Sequence, residues 1–193
     1  MRIKIIIPNS SIEFRDNEVE GRKKAAATGS EVEVVCLPHG PVSIESAYDE
    51  ALAAPYIIEE VVKAEREGFD AVSVDCAMDT VVRAAREAVS IPLTSAGEAS
   101  YLVAMGLCSK FSVVTVLEST ADAIKENLRK YGFEGRVASI RCADIPVLEL
   151  QDQRKAFDAI LKEAEIAIEH EGAEAIVLGC TGMSSLTREL QER

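Results

Sequence analysis

An internal repeat governs the architecture of this chain: residues 65–76 read EREGFDAVSVDC and residues 169–180 read EHEGAEAIVLGC. The two windows align without a gap at an offset of 104 residues, and two glutamates, a glycine, an alanine and a cysteine coincide. Each window reads as the end of a helix, a tight turn, a short buried strand and then a cysteine. The repeat predicts that the chain is built from two related halves.

Apolar, β-branched runs alternate with amphipathic stretches along the whole chain, a pattern typical of parallel strands joined by crossover helices. The opening strands of the two halves also correspond: residues 3–7 run into PNSS at 8–11, and residues 111–116 run into LEST at 117–120. The predicted strands are 3–7, 32–36, 71–74, 91–94, 111–116, 137–141 and 175–178, and the predicted helices are 18–27, 48–67, 79–88, 98–105, 119–131, 153–171 and 184–191.

The alternation predicts the α/β fold class, with two pseudo-symmetric, doubly wound parallel-sheet halves of the Rossmann-like type. We place the first half at residues 1–96 and the second at residues 97–193, although no Gly/Ser-rich linker marks the boundary. In open parallel sheets, ligands bind beyond the carboxyl ends of the strands. The expected active site is therefore a cleft between the two halves.

The composition limits the partners of the chain. Its 193 residues carry 21 basic and 33 acidic side chains, which gives a formal net charge of −12. Such a surface repels a phosphate backbone or an anionic membrane, so we expect no nucleic-acid partner and no membrane partner. No apolar run reaches the roughly 18 residues of a membrane span and no signal peptide is recognised. These features favour a cytoplasmic protein that acts on a small-molecule substrate.

Five cysteines occur without a CxxC pair, which favours reduced thiols over a disulfide framework or a zinc site. We interpret Cys36, Cys108 and Cys142 as packing residues, since free cysteine is among the most often buried residues. Cys76 and Cys180 differ because they occupy the same position in the two repeats. Two cysteines in register favour a functional role for both.

Cys76 and Cys180 are the candidate catalytic residues, because thiols on opposite walls of a cleft can take a proton from one face of a carbon and return one to the other. Helices predicted to begin at Asp79 and Ser184 would lower the pKa of both thiols by stabilising the thiolates. The candidate substrate-binding residues lie on the same strand-end loops, where polar groups and backbone N–H donors can hold an enolate oxygen. They are Asn9, Ser10, Ala77, Asp79, Thr115, Ser119, Thr120, Thr181 and Gly182.

Other motifs receive simpler interpretations. Asp79 is also predicted to be the N-cap of the helix that follows Cys76. No GxGxxG follows a strand, no Walker sequence is present and no cluster has metal-ligand spacing, so the sequence calls for no cofactor and no metal. His39 lies in a loop after a strand, which leaves open a thiol hydrolase that pairs Cys76 with His39.

Several segments resemble the aspartate/glutamate/hydantoin racemase superfamily, and the hydantoin racemase branch most of all. The segments are PNS at 8–10, HGPVSIE at 39–45, YDEAL at 48–52, FSVVT at 111–115 and LGCTGM at 178–183. The resemblance covers essentially the whole chain, and GPxSIE is its most specific part. It implies a cofactor-independent racemase of two α/β halves, with Cys76 and Cys180 as the paired acid and base.

The resemblance also implies roles for other residues, and one motif departs from it. Oxygen-holding roles carry over to Asn9, Thr115, Thr181 and the backbone of Gly182. Hydantoin racemases usually follow the first cysteine with Phe-Gly-Asp-Pro, whereas residues 77–80 here are Ala-Met-Asp-Thr. The aromatic residue and the glycine turn are absent, so the family's substrate preference does not carry over with the motif.

The family resemblance further implies a homo-oligomer and a longer chain. Family members usually continue with a strand and a closing helix that packs back on the first half. The counterpart of the strand at 91–94 would fall beyond residue 193. We therefore expect the second half to lack its last strand and closing helix, as in a truncated racemase.

The leading interpretation is an isomerase that inverts the stereocentre of a 5-substituted hydantoin. An aspartate/glutamate-type amino-acid racemase is the alternative within the class, and it would need cations to hold substrate carboxylates. Arg83, Arg86 and Arg188 are the candidate cations that follow the motifs, and their helical spacing predicts that they point to solvent. From other classes, a cysteine hydrolase or a small-molecule binding protein stays open.

Overall fold

A computed structural model describes residues 1–193. The chain folds as an α/β protein with two parallel sheets, seven α-helices and three 3-10 helices, which confirms the predicted fold class. It divides into two compact units, unit 1 at Met1–Ala96 and unit 2 at Gly97–Arg193. No helix combines the length and the apolar composition that crossing a membrane requires.

Unit 1 is built on a four-stranded parallel sheet. Its elements are β1 (Arg2–Ile7), α1 (Ile12–Ala25), β2 (Glu31–Cys36), α2 (Ala47–Arg66), β3 (Ala71–Val74), α3 (Val82–Ala88) and β4 (Leu93–Ser95). The strand order is β2-β1-β3-β4. The chain therefore leaves β1 for one side of the sheet and later returns to place β3 on the other side, as in a doubly wound fold.

Unit 2 is built on a three-stranded parallel sheet. Its elements are α4 (Ala96–Leu107), which starts at the boundary, β5 (Phe111–Thr115), α5 (Glu118–Lys130), β6 (Val137–Cys142), α6 (Gln153–Glu171), β7 (Ala175–Leu178) and α7 (Thr187–Gln191). The 3-10 helices span Glu134–Arg136, Val147–Gln151 and Thr181–Leu186. The strand order is β6-β5-β7, so β5 is central and has the place that β1 has in unit 1.

The two sheets share one register at the repeated segments. Ile3 of β1 pairs with Ala71 of β3, and Phe111 of β5 pairs with Ala175 of β7. Both ladders extend by one residue: the Asp75 N–H donates to the Ile6 carbonyl at 2.8 Å, and the Gly179 N–H donates to the Val114 carbonyl at 2.7 Å. The repeat seen in the sequence is thus a repeat of backbone pairing, and each cysteine follows the last paired residue.

Buried strand faces explain the nearly continuous apolar runs of the sequence. In unit 2, Tyr101 of α4 stacks on Phe111 with ring centroids 6.1 Å apart. Val113, Ile124 and Leu128 are enclosed in the same cluster. Close packing of this cluster holds the strand ends in place, so the loops beyond them start from fixed positions.

Three predicted helix starts differ from the structure by three residues or more. α1 begins at Ile12, well before the predicted 18, because the Ser11 hydroxyl caps it by accepting from the Phe14 N–H at 3.1 Å. α3 begins at Val82 and not at 79. The predicted helix at 184–191 is a 3-10 helix from Thr181 followed by the short α7.

Candidate functional site

The predicted site residues lie where the strand order reverses. In unit 1 this point is between β1 and β3, and in unit 2 it is between β5 and β7. Loops beyond such a point run to opposite sides of the sheet and leave a crevice in which open α/β proteins bind ligands. Every predicted site residue lies at or just beyond these strand ends. In unit 1 they are the loop residues Asn9, Ser10, Cys76, Ala77 and Asp79. In unit 2 they are Thr115 at the end of β5, Ser119 and Thr120 in the first turn of α5, Cys180 after β7, and Thr181 and Gly182 at the start of the 3-10 helix.

The Cys76 loop turns tightly at the end of β3. The Cys76 N–H donates to the Val74 carbonyl at 3.0 Å, and the Cys76 carbonyl accepts from the Asp79 N–H at 3.2 Å. The residues that follow Cys76 are almost fully buried; Thr80 has no exposed surface and Met78 is 3% exposed. The loop is therefore packed into unit 1, and Cys76 as a whole residue is half-buried.

The surroundings of Cys76 keep its thiol protonated. Burial raises the pKa of Cys76 to about 11, since a thiolate loses hydration there. The Thr80 hydroxyl, which donates to the sulfur at 3.5 Å, and the Met78 N–H lower this pKa, while the carboxylates of Glu50 and Asp79 raise it. The predicted lowering of this pKa by a helix N-terminus is wrong, because α3 begins too far along the chain and burial dominates.

The backbone after Cys76 is strained. Asp79 has a φ of 53° and Val81 a φ of 63°, in the left-handed region that a β-branched residue rarely adopts. Val81 is the N-cap of α3 and no side chain caps this helix, so the prediction that Asp79 is the N-cap is wrong. Strained conformations of this kind persist only where surrounding packing enforces them, and they concentrate at functional sites.

The loop after β1 lies beside the Cys76 loop. Asn9 is 5% exposed, and its side-chain Oδ1 accepts from the Ser11 N–H at 3.0 Å. The Ser10 hydroxyl donates to the carbonyls of Gly40 and Pro41 at 3.0 and 3.1 Å. The side-chain oxygen of Asn9 already accepts a hydrogen bond. Only the Nδ2–H2 group of the same side chain can donate to an acceptor.

An ion pair ties the Cys76 loop to α1. Arg22 Nε lies 2.8 Å from Asp75 Oδ2, and Arg22 Nη2 lies 2.9 Å from Glu18 Oε2. Burial raises the pKa of Asp75, and the Arg22 guanidinium opposes that rise. A cation is thus brought next to Asp75, the residue that precedes Cys76, from a helix position 53 residues away in the sequence.

In unit 2, a hydroxyl network lies behind Cys180. The side chains of Thr115 and Thr120 are buried, and their hydroxyl oxygens are 2.9 Å apart. Thr115 also donates to the Gly179 carbonyl at 3.1 Å, and Thr120 donates to the Leu117 carbonyl at 2.6 Å. Both predicted site threonines therefore hydrogen-bond within unit 2, and Thr115 contacts the residue directly before Cys180.

Gly179 is enclosed at the same point. A Cβ added there would lie 2.8 Å from Thr115 Cβ, 2.9 Å from Val113 Cγ1 and 3.1 Å from Ile124 Cδ1. Distances below 3.0 Å require a neighbour to move, so no side chain fits without displacing the strand or the loop. Cys180 follows as the residue that precedes the 3-10 helix, and its carbonyl accepts from the Met183 N–H at 3.1 Å.

The geometry gives little support to a hydrolase that uses His39 or to an amino-acid racemase that uses the nearby arginines. His39 is exposed, and its ring contacts Tyr56 edge-on with centroids 5.8 Å apart. The side chains of Arg83 and Arg188 are more than nine-tenths exposed, as their helical spacing predicts, whereas Arg86 donates to the Leu93 carbonyl at 3.0 Å.

The three cysteines interpreted as packing residues are partly exposed rather than fully buried. Cys108 donates to the Ala104 carbonyl at 3.1 Å, within its own helix turn. Burial, with the Glu118 carboxylate next in effect, raises the pKa of Cys142 to about 12. No group of three or more His, Cys, Asp and Glu side chains has the geometry to hold a metal ion.

Comparison with known proteins identifies the family. The sequence model of the Asp/Glu/Hydantoin racemase family matches residues 3–193. The chain belongs to this family. Hydantoin racemases from Pseudomonas sp. (strain NS671) and Rhizobium meliloti are 36% and 37% identical to it over 193 residues, which are all of this chain and 78% and 80% of those proteins. The racemase is thus an isomerase, and the hydrolase and binding-protein alternatives lose their support.

A solved structure extends the comparison to three dimensions. Allantoin racemase from Klebsiella pneumoniae superposes on the racemase with a TM-score of 0.95 and 33% sequence identity, over 100% of this chain and 79% of that one. The similarity in both sequence and backbone supports placement in the hydantoin branch.

Two residues next to the predicted site residues were not predicted from the sequence. Arg22 gave no signal, because its link to Asp75 spans 53 positions and Arg22 lies in a strongly polar helix. Gly179 could have been noticed, since it is the glycine that replaces Asp75 in the second repeat directly before the cysteine. A glycine at a strand end beside a functional residue commonly marks close backbone approach.

Proposed function

We propose that this racemase inverts the stereocentre of 5-substituted hydantoins by a 1,1-proton transfer between two cysteines. The observation that carries the proposal is the equivalence of Cys76 and Cys180, each of which follows the strand that pairs with the central strand of its unit. The names of the relatives, hydantoin racemase and allantoin racemase, support the substrate class, since allantoin is itself a hydantoin ring substituted at C5.

The chemistry suits a pair of thiols. The C5–H bond of a hydantoin lies next to the C4 carbonyl, so removal of the proton places the charge on an enolate oxygen. Inversion requires a base on one face of C5 and an acid on the other, so one thiol starts as the thiolate while the other carries its proton. Two cysteines supply both roles, and neither step requires a redox change.

The protonated thiol of Cys76 fits the role of the acid in one direction of the reaction. Because burial raises the pKa of Cys76 to about 11, this thiol holds its proton at neutral pH and acts as the acid. In that direction the Cys180 thiolate removes the C5 proton, and Cys76 delivers its own proton to the opposite face. The product leaves behind a Cys76 thiolate and a Cys180 thiol, which is the form that converts the other enantiomer.

The remaining predicted site residues fall into two groups in this proposal. The Asn9 Nδ2–H2 group and the backbone N–H groups of Thr181 and Gly182 hold the developing oxygen anion, which preorganised donors stabilise strongly. Thr115 and Thr120 position the Cys180 loop and do not touch the substrate, since both are buried and bonded within unit 2. The remaining residues of the predicted set lie around the substrate; they are Ser10, Ala77, Asp79 and Ser119.

Proton exchange in deuterated water tests the proposal directly. The racemase is incubated with single enantiomers of 5-substituted hydantoins, including allantoin, and of aspartate and glutamate, and the C5 or Cα deuterium content is followed by NMR. We expect deuterium at C5 of the inverted hydantoin, because the donated proton comes from a thiol that has exchanged with solvent. Exchange confined to the amino acids would overturn the substrate class, and inversion without exchange would overturn the two-cysteine step.

We also propose that the racemase is a homo-oligomer that buries the outer face of α4 against a second copy. Leu102, Val103 and Leu107 are 54%, 62% and 79% exposed on this helix. Glu98, in the first turn, is the charged residue of α4. Copies of a chain of net charge −12 repel each other on average, and an uncharged apolar surface is where that repulsion is weak.

Light scattering coupled to gel filtration measures the oligomeric state. Val103→Glu with Leu107→Lys should convert the assembly to a monomer, whereas Ile168→Glu, at the exposed apolar position of α6, should leave its mass unchanged. A monomeric wild type, or an assembly that survives the α4 changes, would contradict this interface.

A further inference from the structure

The Asp75 carboxylate is a buried charge beside Cys76, and α1 supplies its partner. The side chains of Arg22 and Asp75 are 16% and 8% exposed, so their 2.8 Å contact is shielded from water. Glu18, one helical turn before Arg22, lies 2.9 Å from the guanidinium and helps to orient it. A shielded and directional pair of this kind fixes geometry far better than an ion pair on the surface.

α1 has an unusual attachment to its sheet. None of its residues is fully buried, although it follows the central strand of unit 1. Its inward side carries the charged residues Glu18 and Arg22, whose side chains are only 12% and 16% exposed. A helix without a buried apolar residue gains little positional accuracy from packing. The Arg22–Asp75 contact therefore contributes directly to where α1 lies.

One helix connects the two site segments of unit 1. α1 begins at its Ser11 cap, directly after Asn9 and Ser10, and the Ser11 N–H holds Asn9 Oδ1 at 3.0 Å. Further along the helix, Arg22 reaches the residue that precedes Cys76. A displacement of α1 relative to Asp75 would therefore change the spacing between the oxygen-holding loop and the thiol.

We propose that Arg22 is a positioning residue of the racemase, which fixes the backbone carrying Cys76 relative to the Asn9–Ser10 loop through its ion pair with Asp75. The inference rests on the proposed role of Cys76 as acid and base. Arg22 itself does not touch the substrate in this arrangement, because its guanidinium bonds to Asp75 and Glu18.

Removal of the guanidinium would leave Asp75 buried without this counter-charge. An uncompensated buried carboxylate takes up a proton or draws water towards it, and either response moves the loop. Misplacement of a reacting group by about 1 Å costs on the order of a hundredfold in rate. The effect should fall on kcat, since binding groups elsewhere in the site keep their places.

The test compares kinetics across a small set of variants. Arg22→Met should lower kcat about tenfold or more with KM changed less than about threefold, and Arg22→Lys, which keeps the charge, should recover part of the loss. Arg15→Met is the matched control on the same helix, because Arg15 pairs only with the adjacent exposed Asp16, and it should retain wild-type kinetics. Wild-type kcat in Arg22→Met, or no recovery by lysine, would overturn the proposal.

A second readout separates this inference from the proposed function. The rate at which iodoacetamide alkylates Cys76, read by mass spectrometry, reports the placement of the thiol whatever the substrate is. We expect a changed rate in Arg22→Met and an unchanged rate in Arg15→Met. If Arg22→Met does not fold, Asp75→Asn provides the same comparison without the charge. If Cys76→Ser keeps full activity, the proposed function fails, yet the alkylation result still supports or overturns the positioning role.

Discussion

The two cysteine loops follow equivalent strands of the two units, yet different interactions hold them in place. In unit 1 the residue before the cysteine is Asp75, whose charged side chain reaches across to Arg22. In unit 2 it is Gly179, which lacks a side chain and lies directly against Thr115 and Val113. The backbone pairing fixes where each cysteine emerges, and the preceding residue decides whether charge or close packing holds it there.

Replacement of either cysteine tests whether the equivalence is functional. Cys76→Ser and Cys180→Ser should each lower racemisation by about a thousandfold or more, since a serine hydroxyl can neither give nor take the proton at neutral pH. Optical rotation of a single hydantoin enantiomer measures the rate, and unfolding by circular dichroism checks the fold. Cys36→Ser is the matched control and should stay active. Full activity in either site variant would show that the two cysteines are not functionally equivalent.

Gly179→Ala tests the close-packed loop. The added methyl group meets Cβ of Thr115 and Cγ1 of Val113, two stiff β-branched side chains, so we expect a loss of about 1–3 kcal/mol in the free energy of unfolding and a fall in activity. Asp75→Ala introduces no such clash in the equivalent position. Gly21→Ala is the control, because nothing lies within 4 Å of its added Cβ. Equal stability of the Gly179 and Gly21 variants in urea titrations would contradict the account.

Thr115→Val tests the hydroxyl network of unit 2. The change keeps the shape of the side chain but leaves the Gly179 carbonyl and the Thr120 hydroxyl each short of a partner. We expect a loss of about 1–2 kcal/mol in the free energy of unfolding. Alkylation of Cys180 should change in rate while that of Cys76 stays constant, and the opposite pattern would show that the network serves the other loop.

The pH dependence of alkylation tests the Cys76 loop and carries the smallest expected effect. With its pKa raised to about 11, the thiol should react with iodoacetamide at a rate that climbs until that pH. Thr80→Val removes a hydrogen bond that lowers this pKa, so its profile should move to higher pH. Since the folded state holds this proton more tightly than the unfolded state, this thiol makes unfolding easier as the pH rises from about 9 to 11. A profile centred near an ordinary thiol pKa would show that Cys76 is hydrated.

Most of the fold could be predicted from the sequence alone. The spacing of apolar runs located all seven strands, and β3 and β7 begin and end where predicted, because each short, largely apolar run is bounded by polar residues or glycine. The helix starts were harder to predict, since they depend on caps. Ser11 was available as a cap for α1, whereas α3 begins at Val82, after a strained backbone at Val81 that no local preference indicates.

Repetition of the pattern by itself determined that Cys76 and Cys180 occupy equivalent positions, because covalent order fixes which residue follows each buried strand. Only the tertiary structure decided what surrounds them. The Arg22–Asp75 contact joins residues 53 positions apart, and the enclosure of Gly179 depends on side chains of β5 and α5. Burial, which sets the pKa of Cys76, is likewise a property of the packed loop. Local sequence encodes backbone periodicity, whereas charge pairing and desolvation arise only when distant segments meet.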